Sequence, residues 1–369
     1  MMNTRSPYFV TINESNLESS VLRLYIYKGT KVTDRGDVQF VLNSTAVSNI
    51  ITFEISELVD DYVTNEFNGD YATEPLWVEY TIQNTINGSE QAVSGFIINQ
   101  AVSGYSLFEE GANKLIEQSL LINNNVIVKY DDDALNIPIN VNKTNSVSML
   151  YRSEEVATEN YTNTDESDLS IKYLSNAGVD ANSYKDYVIK LGDDFEDSQC
   201  LRDFEREYPI FPIDKIIIDG DDGVRVVKVR DNGECLYEVK KLTFINKNGV
   251  LQDIWCFQSS VKKLALKEEK YNANIVSNGS FKTCNHQSKI LTKTGQRSVT
   301  LNTGFVPGSY NAVIEELMLS RQVWLTEDNV VRPVNVADSS FTFKNKIDDR
   351  LINYKFNINY ATQAVNNVR

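Results

Sequence analysis

Apolar and polar positions alternate with a period of two along most of the chain. In "SSVLRLYIYKGTKV", Leu22, Leu24 and Ile26 share one face before Gly29 turns the chain out. "RLINYKFNINYA" repeats the pattern with Ile352, Tyr354, Phe356, Ile358 and Tyr360 on one side and Asn and Lys on the other. The first carries a strand signature, and the second reads as a half-buried antiparallel strand. "SSFTFKNKIDDR", just upstream of the second, reads as its hairpin partner through Lys346 to Asp349. "KKLTFINKNGVLQDIWCFQSS", residues 240 to 260, reads as two strands joined at Asn-Lys-Asn-Gly, with Trp255 and Phe257 on the second. Two apolar stretches around Asn87-Gly88 carry a strong hairpin signal. From Val126 to about Cys235, seven short apolar runs, "NVIVKY", "NIPINV", "VSMLYR", "LSIKYL", "DYVIKL", "DKIIID" and "VRVVKV", alternate with acid-rich connections. That spacing suggests a β-sandwich.

Helical period intrudes twice. After Ile51, Phe53 and Ile55, the spacing of Leu58, Val59 and Tyr62 predicts a short helix with Ser56 as its N-cap. "PGSYNAVIEELMLSRQVWL" predicts a second, capped by Ser309, before "QVWL" resumes strand character at Trp324. "VKKLALKEEKY" fits a short helix or a strand with a charged edge, and periodicity does not choose between them. "RSEEVATENYTNTDESD", 152 to 168, is the best candidate for a mobile loop. The expected fold is mainly β: two or three antiparallel β-sandwich-like domains with a few short helices. The expected boundaries are 1–125 (N-terminal, β-rich), 126–235 (middle, sandwich-like) and 236–369 (C-terminal sandwich with a helix near 309–320). A chain of 369 residues has ample length for domains of roughly 100–150 residues each.

Composition narrows the partners. A net charge of -15 repels phosphate backbones, and no run of Lys and Arg offsets it, so nucleic acid is an unexpected partner. The N-terminus has no apolar h-region and no uncharged apolar run of about 18 residues spans a bilayer, which predicts a product soluble where it is made, without a membrane partner. Cys200, Cys235, Cys256 and Cys284 are widely spaced and read as small buried hydrophobes.

The chemical candidates are sparse. Cys284 and His286, the sole histidine, would share a strand face as a nucleophile pair, but no third orienting group accompanies them, and a turn histidine is the plainer reading. Asp219, Asp221 and Asp222 in a Gly-rich turn suggest an opportunistic cation site, yet Arg230 stands where an EF-hand loop needs its twelfth-position Glu, so a hairpin turn is favoured. "KYDDDALN" and "LGDDFEDS" read as solvated charge at strand ends. Phosphate-binding, nucleophile-elbow and zinc-protease motifs are all missing. The expectation is a protein that binds or builds, with no catalytic residue, no metal and no cofactor.

One resemblance sharpens this. "CLYEVKKLTFINKNGVLQDIWCFQSS", with "EEKYNANI", "GQRSVTLNTGFV", "YNAVIEELMLSRQVWL" and "RPVNVADSSFTFKNKIDDRLINYKFNINYA", resembles the C-terminal region of virion structural proteins from tailed phages of Bacteroidetes-type hosts. "FEISELVDDYV" and "GYSLFEEGAN" are similar to their N-terminal part, while the middle third matches loosely. The resemblance implies a tail or baseplate component located in the virion, whose partners are other virion proteins and copies of itself in a ring. Outward-facing aromatics would anchor such interfaces, with Trp255, Phe257 and Trp324 as candidates and a core position as the alternative for each. Two competing readings are a module that stacks Trp and Tyr on host-surface glycans and a sugar hydrolase using paired carboxylates.

Overall fold

A computed structural model of the chain describes residues 1–130, 133–151, 154–161, 170–176, 213–233, 236–342 and 351–365. The fold is mainly β, with several largely antiparallel sheets and two α-helices among the described residues. It divides into two compact units: Met1–Gly233 with Thr243–Ile254 and Ser309–Ser320, and Glu234–Leu242 with Trp255–Gly308 and Arg321–Arg369. Residues 1–125 and 126–233 therefore fall in one unit, and the predicted hairpin at 240–256 contributes to both.

In the first unit one sheet runs Met2–Asn3, Ile97–Val102, Leu76–Ile86, Leu17–Tyr27, Phe40–Thr45. The alternation of Leu22, Leu24 and Ile26 places all three in the core with Val78, and Phe9–Asn13 paired to Ile50–Glu54 adds Val10, Ile12, Ile51 and Phe53. Each such side chain contributes about 1.5–3 kcal/mol by leaving water. Asn87 and Gly88 take positive φ, 49° and 70°, as a primed hairpin turn requires. Only Ser89–Glu90 pairs directly back, however, and the apolar Ile97–Val102 rejoins farther along, opposite Leu76–Tyr80. The residues between belong to no strand, although Gln91 N and Ser94 N still donate to Asn84 O and Ile82 O, each at 2.8 Å.

A second sheet of this unit runs Glu154–Asn160, Thr144–Tyr151, Lys215–Gly220, Gly223–Asn232, Val126–Tyr130, its last pairing parallel. The proposed loop at 152–168 is corrected in part, because Glu154–Asn160 is a strand whose backbone finds its partner in Thr144–Tyr151. Residues 152–153 and 162–168 of that stretch, like "DYVIKL", "LGDDFEDS", Cys200 and Cys235, lie outside the described residues.

Both helices form where the period changed, but neither predicted cap holds. The first spans Ser56–Asp60, and Ser56 donates its backbone N–H (2.9 Å) and its hydroxyl to Glu54 Oε1 rather than accepting from the helix. The second spans Tyr310–Leu319, and Ser309 makes no side-chain capping bond.

Within the second unit, five strands pair in the order Val323–Glu327, Val330–Val336, Leu351–Gln363, Ser288–Pro307, Val261–Asn272. Ile352, Tyr354, Phe356, Ile358 and Tyr360 all face inward, as the alternation predicts. Their strand pairs with Ser288–Pro307 and Val330–Val336. "SSFTFKNKIDDR" is thus not its observed hairpin partner: residues 339–342 lie outside any strand and 343–350 outside the described residues. The tight turn at Asp328 and Asn329, both at positive φ, delivers Val330–Val336 to that place instead. "VKKLALKEEKY" is a strand. No helix among the described residues is long and apolar enough to cross a membrane.

Candidate functional site

Val261–Asn272 pairs with Ser288–Thr300 through twelve positions, from Val261 opposite Thr300 to Asn272 opposite Ser288. Twelve residues of antiparallel strand span about 40 Å. The neighbouring strand Leu351–Gln363 accompanies this hairpin only as far as Gln296 opposite Gln363. Beyond it, a two-stranded arm continues to a tip where Asn278 and Gly279 turn at positive φ. An isolated two-stranded ribbon is marginal in water, so such an arm gains most from a partner.

The arm's surface suits a protein partner. Leu264, Leu266, Tyr271, Phe281, Ile290 and Leu291 are all exposed. Residues 261–300 carry seven Lys and Arg297 against Glu268 and Glu269, a net +6, so the rest of the chain, whose total is -15, carries -21. Salt bridges from Glu268 to Lys270 (3.0 Å) and Lys293 (2.6 Å) hold that carboxyl below its usual range, outweighing a small opposing effect of burial.

At the root of the arm, Lys262, Leu264, Arg297, Arg332 and Tyr360 line an open groove of about 410 Å³. Glu327 also lines it, its side chain 4% exposed. Its Oε1 meets Lys240 Nζ (2.7 Å) and Lys262 Nζ (2.8 Å), and its Oε2 accepts from Tyr360 Oη (2.9 Å) and faces Arg332 Nη1 (3.3 Å). Burial alone would raise this carboxyl, but the bonds from Lys240, Lys262 and Tyr360 overcome it and hold the pKa at about 2. Glu327 therefore stays ionised and fastens the arm's base. Arg297 and Lys263 have no partner among the described residues, which leaves a groove able to accept a carboxylate beside an apolar group.

In the first unit, the turn Leu107–Glu110 holds Phe108 at 98% exposure. Glu110 Oε2 accepts from Leu107 N (2.7 Å) and pairs with Lys247 Nζ (2.7 Å), which fixes the turn and leaves the ring in solvent.

The aromatics singled out as interface anchors lie elsewhere. Trp255 is 2% exposed, Phe257 2% and Trp324 8%, so all three are core residues and offer no outward ring; this corrects the interface assignment. Strands buried on both faces leave no outward side, as the burial of nearly every residue in Lys240–Ile245 and Leu251–Cys256 shows. Trp77 is also buried, its Nε1 donating to Gly29 O at 2.8 Å. Cys284 and His286 sit exposed near the arm's tip, between strands rather than on one. Cys256 is buried and its thiol is pushed up by desolvation. The Asp219–Asp222 stretch is a hairpin turn, Gly220 opposite Gly223. Asp221 pairs with Lys143 Nζ (3.3 Å) and Asp222 Oδ1 accepts from Ser119 Oγ (2.6 Å), so the two carboxylates serve different neighbours.

The arm escaped residue-by-residue reading. A local charge count over 261–300 would have flagged it, since +6 stands out against an acidic chain. Compared with models of known protein families and with curated proteins, the chain matches none.

Proposed function

We propose that this chain is a structural component of a tailed-phage virion, of the tail or baseplate, acting through protein–protein assembly contacts. The observation that carries the assembly part is the arm, which displays apolar side chains and a net +6 on a ribbon with few stabilising neighbours of its own. The virion assignment rests on the resemblance of the first and last thirds to such proteins. Copies of the chain and other virion proteins are the proposed partners, and the acidic remainder keeps free subunits soluble until they meet. The glycan-binding alternative loses its strongest platforms, because all three Trp rings are buried.

The test is the mass of the purified chain by light scattering across a concentration series, alone and with the dissociated proteins of the virion encoded alongside it. A defined oligomer or incorporation into a larger complex is expected. A monomer that ignores those proteins overturns the reading.

A further inference from the structure

We infer that the acidic turn bearing Phe108 on one copy seats in the groove at the arm's root on a second copy of this chain. The inference rests on the assembly reading and names its contact.

The two surfaces are complementary in chemistry and size. Phe108 projects a bare phenyl ring at 98% exposure from a turn that Glu110 and Lys247 hold in place, so little conformational freedom is lost when the ring is buried. Beside it, Glu109 is exposed and has no partner among the described residues. The groove presents exposed Leu264 for the ring and Arg297 for the carboxylate. Its volume of about 410 Å³ falls within the roughly 300–1,000 Å³ typical of small-ligand sites, ample for one phenyl ring with an adjacent carboxylate.

Charge selects the occupant. Two arms meeting edge to edge would set Lys262, Lys263, Lys267 and Lys270 of each against the other, which lysines on an edge strand are suited to prevent. The acidic remainder of another copy, at -21, attracts the arm at +6. A phosphate backbone would satisfy the cations but offer nothing to Leu264, and the acidic remainder would repel it. Because the turn and the groove are different surfaces, the contact is heterologous, and repeating it generates a ring or a filament.

The experiment measures self-association of the full chain by sedimentation equilibrium, comparing wild type with Phe108→Ser, Arg297→Glu, Glu109→Arg and the double variant Glu109→Arg with Arg297→Glu. All three positions are exposed, and unchanged thermal melts verify folding. Each single change is expected to weaken association at least about tenfold, as loss of a central anchor does. The charge-swapped double variant is expected to recover most of that loss, which a merely local disturbance would not produce. If Phe108→Ser and Arg297→Glu associate as tightly as wild type, the inference is overturned while the assembly reading stands. A wild-type chain that is monomeric alone yet joins the virion proteins has the same consequence, and one that is monomeric in both settings overturns both. Saturable binding of a short DNA duplex by the arm, without self-association, overturns the inference in favour of a phosphate partner.

Discussion

Leu351–Gln363 and Val261–Asn272 flank the same long strand, Ser288–Pro307, and pair with it through comparable ladders, yet the first buries alternate residues while the second buries none. Both sequences alternate: Leu264 and Leu266 share a face just as Tyr354 and Phe356 do. Backbone pairing is equally available to each, so hydrogen bonds do not separate them. What differs is whether another layer covers the apolar face. Period two shows which face can be buried, and only packing decides whether anything arrives to bury it.

Large-to-small changes give the sharpest contrast. Phe356→Ala, in a fully buried position, is expected to cost about 3–5 kcal/mol in urea unfolding. Leu264→Ser with Leu266→Ser is expected to stay within about 0.5 kcal/mol for each change while reducing any association measured in parallel. Equal destabilisation by the two would mean that the arm is covered within its own chain.

A smaller effect comes from the base of the arm. Glu327→Gln leaves Lys240, 1% exposed, with Glu238 (2.6 Å) as its one charged partner among the described residues and is expected to cost about 3 kcal/mol, the lower end for a broken buried pair. The same carboxyl predicts a pH response. Its folded pKa, near 2, lies below the ordinary 4.5, so its stabilisation is complete above about pH 4.5 and is lost as pH falls towards 2. Glu316 in the first unit works in the opposite sense: burial raises its pKa, so its destabilising charge disappears on acidification. Melting curves at pH 7, 4.5 and 2.5 should show an acid-labile transition that Glu327→Gln flattens. An unchanged profile in that variant would remove Glu327 as the cause.

The smallest effect tests one strand against itself. Gly304 sits at φ 71° where the register of Ser288–Pro307 shifts, and Gly304→Ala is expected to cost about 1–2 kcal/mol. Gly295, beside the arm, has no positive φ, and an added methyl would meet Leu264 Cδ1 at 3.1 Å, the end of a mobile side chain, and Ala364 Cβ at 3.2 Å. Gly295→Ala should therefore cost less than Gly304→Ala in the same unfolding assay.

Local pattern determined a good deal of this protein. The mainly-β class, the strands at 17–27, 240–256 and 351–363, the turns ending at Gly88 and Gly223 and both helices follow from side-chain period and from residues that tolerate positive φ, properties carried by a few neighbouring positions. Tertiary structure alone decided that Trp255, Phe257 and Trp324 are core while Leu264, Leu266 and Phe108 face solvent. It also decided that Glu154–Asn160 is a strand and that Val330–Val336 lies beside Leu351–Gln363. Those outcomes depend on which distant segments meet, and an apolar side chain reads the same in sequence whether a second layer covers it or water does.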